Sequence, residues 1–315
     1  MSTVSQSIIL KSRQHFGRRV PTPAIGKVLL AVPSAVRMSV RMALEGRSRA
    51  RGKCPEWLQA AADIRFLGHD GTDDTILHFE APTLGDAAPR LFAQKELWPT
   101  RPDPGNTGFD VLAAVVGDIA AQNADSERFD RPLLDRIAGF RKVLNGTFDE
   151  LAIVGQQTAP QPTAELTPAI LECARSLYTN MPVPQRVRVV GKLDMIRAST
   201  QSFGVMLDDG QEVRGVLTTG DIRSISPLLN QRILVLGKAI YRASGKVLRI
   251  DAEEVSATHE SGPFFSAIPK PIRKRFDFKE AASAPRHASG IAAIFGMWPG
   301  DETDDQIAQA LKELS

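Results

Sequence analysis

Cysteine and tyrosine are nearly absent from this chain, with two of each in 315 residues. Cys54 and Cys173 lie far apart and in no metal-ligand spacing. That excludes a disulfide-dense scaffold and a zinc ribbon; two thiols in a reducing compartment are the expectation, with a single bridge between them left open. No apolar run reaches the length that spans a bilayer, so no membrane partner is expected. The chain also lacks a phosphate-cradling P-loop, a dinucleotide fingerprint and a Ser elbow of the G-x-S-x-G kind. No catalytic residue, cofactor or metal is therefore expected, and the location expected is cytoplasmic.

Acids are missing from one end. Residues 1–53 hold eleven Lys or Arg and a single acid, Glu45, for a charge of +10. The rest of the chain therefore carries −7 to reach the net +3. Such an Arg-rich start suits an organelle transit peptide, a nucleic-acid-binding arm or a solvated lead into a helix. It does not suit a secretory signal, because the charges follow Ile8-Ile9-Leu10 and no long apolar core exists.

What is present is the composition of a globular protein, 43% hydrophobic and 24% charged, at a length that suits two domains. The fold class expected is α+β: an N-terminal α/β domain, a small OB-like β-barrel and an extended C-terminal tail ending in a short helix. Residues 1–26 read as a basic arm, 27–154 as the α/β domain, and 155–184 as a linker with a short helix. Residues 185–257 read as the barrel, 258–290 as a second linker and 291–315 as a partner-binding segment.

In the first domain, Pro33 to Glu45 has Val36, Val40 and Leu44 on one helical face and Gly46 as a stop. A short helix is expected over Pro55 to Ala62. Ile64–Leu67 and Ile76–Phe79 flank the turn Asp70-Gly71-Thr72-Asp73-Asp74, which predicts a hairpin. The proline-dense stretch 81–107 reads as loop, and helices follow over Phe109 to Ala121 and Pro132 to Leu144. His69, Asp70, Asp73 and Asp74 form a small polar cluster, but turns favour Asp and Gly for backbone reasons. His78 reads as a packed or half-exposed histidine.

From Gln185 onward the pattern is that of strands. Val187 and Val189 alternate with Arg186 and Arg188, and Gly191 suggests a bend. Strands are expected at 203–207, 212–217, 233–241 and 247–250, with a helical piece over Ile225 to Leu229. Three strands, a short helix and two strands resemble an OB-fold, with an SH3-like barrel as the competitor. OB-folds often bind oligonucleotides, and the candidates for that role are Arg186, Arg188, Lys192, Arg197, Arg214, Tyr241 and Arg242, with Lys238 beside them. Only Phe203 and Tyr241 offer stacking rings, and Phe203 falls in the core phase.

The ending is the most unusual stretch. Thr303 to Gln306 forms a capping box, acids crowd the helix start, and Ile307, Leu311 and Leu314 share one face. A helix of this length is marginal alone and must pack on something, its own chain or another. The string FGMWPGDETDDQIAQALKELS, from Phe295 onward, resembles the C-terminal end of small bacterial antitoxins encoded just upstream of PIN-domain ribonuclease toxins. The resemblance implies a PIN-domain ribonuclease as partner. It implies contacts from Ile294, Phe295, Met297, Trp298, Pro299, Asp301, Glu302, Ile307, Leu311 and Leu314. Arg286 or the cluster Arg273-Lys274-Arg275 would face the toxin's acidic pocket by charge. The alternative function is nucleic-acid binding through the barrel and the basic start.

Overall fold

The computed structural model of the chain describes residues 2–93, 102–144, 146–154, 164–258 and 268–271. The chain divides into one compact unit, Met1–Arg273, and a second, Lys274–Ser315. The second unit, with the expected partner segment 291–315, lies outside the described residues.

The basic start is not an arm. Thr3–Lys11 (β1) is the middle strand of a five-stranded sheet. Gln6, Ile8 and Leu10 turn inward at every second position, as a half-buried strand requires. Its positive charge is in part neutralised locally: Lys11 Nζ lies 2.7 Å from Glu150 and Arg13 Nε 3.8 Å from Asp149.

The next element, α1 (Thr22–Glu45), begins a full eleven residues before the expected Pro33, which sits inside it. Gly46 ends it in the left-handed region at φ 74°, donating its N–H to Met42 O at 2.9 Å. By length and composition α1 is apolar enough over a window of eighteen residues to cross a membrane. Half of that window is buried inside the fold, as for a core helix.

The hairpin forms as expected, from β2 (Arg65–Asp70) and β3 (Thr75–Pro82), preceded by α2 (Glu56–Ala61). The proline-dense stretch after it holds two short helices, α3 (Leu84–Ala87) and α4 (Pro89–Phe92). The helix α5 (Gly108–Ala120) starts on a buried cap. Asp110 Oδ2 accepts from Thr107 N at 2.7 Å and from Thr107 Oγ1 at 2.8 Å. Asp110→Ala strands both donors, and we expect a loss of about 1–2 kcal/mol of unfolding free energy in urea titration. The expected helix 132–144 is broken at Gly139 into α6 (Arg131–Ala138) and α7 (Phe140–Leu144).

Two further strands, β4 (Glu150–Val154) and β5 (Ala164–Leu166), complete the sheet in the order β2-β3-β1-β4-β5, all pairs antiparallel. The helix α8 (Pro168–Asn180) packs against α5 and α6. So β5 and α8, expected within a linker, belong to this body. A single core joins Ile8, Leu77, Phe79, Val36, Phe109, Leu133 and Leu171 between sheet and helices.

The barrel closes with five strands: β6 (Gln185–Arg197), β7 (Ser202–Met206), β8 (Glu212–Leu217), β9 (Arg232–Tyr241) and β10 (Val247–Ala257). Their order around the barrel is β10-β8-β7-β6-β9. The pair β8–β10 is parallel and the other four are antiparallel. A 3-10 helix, Ile222–Leu228, separates the third and fourth strands. Closure, order and that helix are compatible with an OB-like barrel. Gly191 lies inside an unbroken strand, and the register shift falls later, between Leu193 and Met195. Part of the expected second linker touches the barrel: Ile268 packs on its core, and Tyr241 OH donates to Pro269 O at 3.2 Å.

Candidate functional site

In an OB-like barrel, ligands usually meet the second and third strands and the loops after the first and fourth. Here the loop after the fourth strand, residues 242–246, lies on the α/β body. Ser244 N donates to Ala124 O at 3.0 Å, and Arg242 Nη1 donates to Asp125 O at 2.9 Å. Arg242 Nη2 pairs with Glu127 at 2.5 Å and Lys246 Nζ with Asp125 at 3.0 Å. Hydrogen bonds from Ser244 and then Lys246 hold the Asp125 carboxyl below its ordinary range. Ala243 is buried in the body's core rather than the barrel's.

Behind this loop the two modules share a buried polar centre. Asp130, 1% exposed, caps α6 by accepting from Leu133 N at 3.3 Å. It also accepts from Ser48 N at 3.0 Å and Ser48 Oγ at 2.5 Å. From the barrel, Arg249 on β10 sends Nη1 to Asp130 at 3.3 Å and to Gly46 O at 2.8 Å, and Nε to Asp251 at 2.7 Å. Close by, Arg41 and Arg47 both reach the buried Glu45 carboxylate at 3.1 Å.

Beside that centre lies a cavity of about 100 Å³, lined in part by Met42, Gly46, Glu127, Glu212, Arg214 and Arg242. Arg214 is desolvated; burial, then the charges of Arg249 and Arg197, push its pKa down to about 10, while Glu127 and Glu45 oppose the shift. It stays a cation at neutral pH. Burial, then Asp194, raises the Glu212 carboxyl above its ordinary range.

The seven barrel residues expected to form one nucleic-acid face are divided. Arg186, Arg188 and Lys192 are exposed on the outside of β6, where Arg186 lies 3.7 Å from Glu253. Arg214 and Arg242 turn toward the α/β body, with Arg197 near enough to depress Arg214. Tyr241 is 1% exposed and packed in the barrel core, so its ring offers no stacking face. The helices carry another basic surface: a groove of about 740 Å³ lined by Arg49, Arg136, Arg141, Lys142 and Arg175, with Glu172 and Asp135 among them.

The hairpin cluster does structural work. His69 Nε2 meets Arg18 O at 3.2 Å, and Asp73 O accepts from Gly17 N at 3.2 Å. On the open face of the sheet, His78 links Ser7 Oγ (3.3 Å from Nδ1) and Asp70 (3.1 Å from Nε2). The residue types are those of a hydrolase triad. However, Ser7 lies in the central strand, paired on both sides, so neighbouring amides are committed to the ladder rather than available to an oxyanion. Among the described residues no group of three His, Cys, Asp or Glu is placed to hold a metal.

Sequence reasoning missed Asp130, Ser48 and Arg249. The one local sign was Asp130 standing two residues before Pro132, the pattern of a helix cap. The expected contact residues Ile294, Phe295, Met297, Trp298, Pro299, Asp301, Glu302, Ile307, Leu311 and Leu314 lie outside the described residues. Comparison of the chain with family models, with curated proteins and with solved structures finds no match.

Proposed function

We propose that the chain is an antitoxin-like binding protein that captures and neutralises a PIN-domain ribonuclease through residues 291–315. The observation that carries this reading is the ending itself, in which Trp298-Pro-Gly-Asp-Glu-Thr-Asp leads into a capped amphipathic sequence. An aromatic anchor followed by a helical apolar face is the chemistry of a segment that folds into a partner's groove. The body supports it indirectly. Arg214, Arg242 and Tyr241, which the nucleic-acid alternative requires at a surface, are taken up by the barrel core and its contact with the α/β body.

The test is a pull-down in which the full chain, or the chain ending at residue 290, is co-expressed with the product of the adjacent downstream reading frame, which the proposal expects to be a PIN-domain protein. The full chain is expected to retain the partner and suppress its ribonuclease activity. The truncated chain should keep its circular dichroism spectrum and lose the partner. Trp298→Ala should weaken capture by at least about tenfold, as anchors at the centre of an interface do. Capture by the truncated chain at full affinity would end the proposal.

A further inference from the structure

The cavity between barrel and body has a charge arrangement that internal pairing does not complete. Three cations border it: Arg128, Arg214 and Arg242. Arg128 is held by Asp118 at 3.1 Å. Arg242 has its two outer nitrogens on Asp125 O and Glu127, yet its Nε is buried with no hydrogen-bond partner among the described residues. Arg214 has no ion-pair partner among the described residues, and its neighbours include two further cations, Arg249 and Arg197. Its guanidinium lies over the end of α1, where a Cβ added at Gly46 would stand 2.7 Å from Nη1. The carbonyl of Gly46, which would repel an anion, is already occupied by Arg249.

A desolvated guanidinium that borders this space without an ion-pair partner asks for an acceptor. The space of about 100 Å³ is several times the ~10–15 Å³ that a single water needs, and it admits one tetrahedral oxyanion. The carboxylates on the wall leave room for such a charge: Glu127 is bound to Arg242, and Glu212 is the one acid an anion would have to tolerate.

We propose that this cavity is a binding site for a free tetrahedral oxyanion, inorganic phosphate or sulfate, held by the Arg214 fork. Arg214 belongs to the barrel while the Gly46 and Glu127 walls belong to the body, so an ion bound there requires the two modules to be docked. It therefore stabilises their contact by mass action.

The experiment uses the full chain and inorganic phosphate as probe, followed by equilibrium dialysis with labelled phosphate and by thermal unfolding against chloride at matched ionic strength. Saturable binding of about one ion per chain is expected, with Tm rising with phosphate and not with chloride. Arg214→Met should remove both effects. Arg136→Gln, in the surface groove of the helices, should leave both unchanged. If Arg214→Met does not fold, Arg214→Lys serves instead; a single ammonium lacks the bidentate fork, and binding at least about tenfold weaker is expected. The proposal is overturned if the wild-type chain shows no saturable phosphate binding, or if either Arg214 variant binds like wild type. Loss of binding in Arg136→Gln would overturn it too, by placing the ion in the groove.

Discussion

Asp130→Ala is expected to lower the unfolding free energy by about 4 kcal/mol, within the range seen when one partner of a buried ion pair is removed. The carboxylate is 1% exposed and accepts from four donors: Ser48 N, Ser48 Oγ, Leu133 N and Arg249 Nη1. Alanine leaves the buried Ser48 amide and hydroxyl without their acceptor, at about 1–3 kcal/mol for an unmet buried donor, while the Leu133 amide keeps the backbone oxygen of residue 130 at 3.1 Å. It also takes away the cap of α6, a loss of about 1 kcal/mol by itself. These losses overlap and do not add.

The reverse truncation, Arg249→Met, should cost about 3 kcal/mol, because it leaves the Asp130 carboxylate buried with neutral donors alone and takes the partner of the Gly46 carbonyl and of Asp251. The double variant should then be less unstable than the two single effects combined. The measurement is urea unfolding monitored by fluorescence and circular dichroism together. In the wild-type chain the two probes should coincide. In Asp130→Ala the barrel loses the centre of its dock, and the probes should separate. A midpoint for Asp130→Ala within error of wild type would mean that the buried centre does not hold the modules together.

That centre was invisible in the sequence for a physical reason. Ser48 and Asp130 are 82 residues apart and Asp130 and Arg249 are 119 apart, so no local pattern links them. Local chemistry was legible where it decides structure locally. Gly46 stops α1, Asp70-Gly71 turns the hairpin, and the Val187-Val189 alternation marks the inside of the barrel. The short strand β5 and the central strand β1 were missed because their patterns are weak. β1 reads Thr-Val-Ser-Gln-Ser before its apolar triplet, with a buried Gln6 where an apolar residue is the rule. The Gln6 amide has no hydrogen-bond partner among the described residues. Charge counting then misled. The run of Lys and Arg suggested an exposed arm, whereas Arg41 and Arg47 lie nearly buried against Glu45. Likewise the basic residues of the barrel could be counted but not assigned to a side. Strand parity separates inside from outside, and it says nothing about which part of the outside another module covers.

Glycine in the barrel gives the second large effect. Gly237→Ala should cost at least about 3 kcal/mol, beyond the usual range for one extra methyl in a core, because the obstacle is main chain. Gly237 lies in β9 between Val187 of β6 and Ala252 of β10. A Cβ there would collide with Asp251 O and stand 2.9 Å from Ala252 Cα. At that point β10 pairs with β9 on one side and, through Asp251 and Val216, with β8 on the other. A register shift between Ala252 and Glu254 follows at once. Side chains can rotate away from a methyl; a strand held on both edges cannot. Relief requires parting β10 from β9 or from β8, and either opens the barrel. Gly26→Ala, on α1, is the matched control: a Cβ at that position meets nothing within 4 Å, and the backbone is ordinary helix. It should be neutral or stabilising by up to about 1 kcal/mol. Paired urea titrations would read the contrast directly, and equal midpoints for the two variants would refute the account of barrel closure. Arg242 follows β9 and Arg249 lies within β10, so opening the barrel at Gly237 should also disperse the groups that meet Glu127 and Asp130. A folded but phosphate-blind Gly237→Ala protein would then show that strand closure, more than the loop after β9, sets the geometry of the junction.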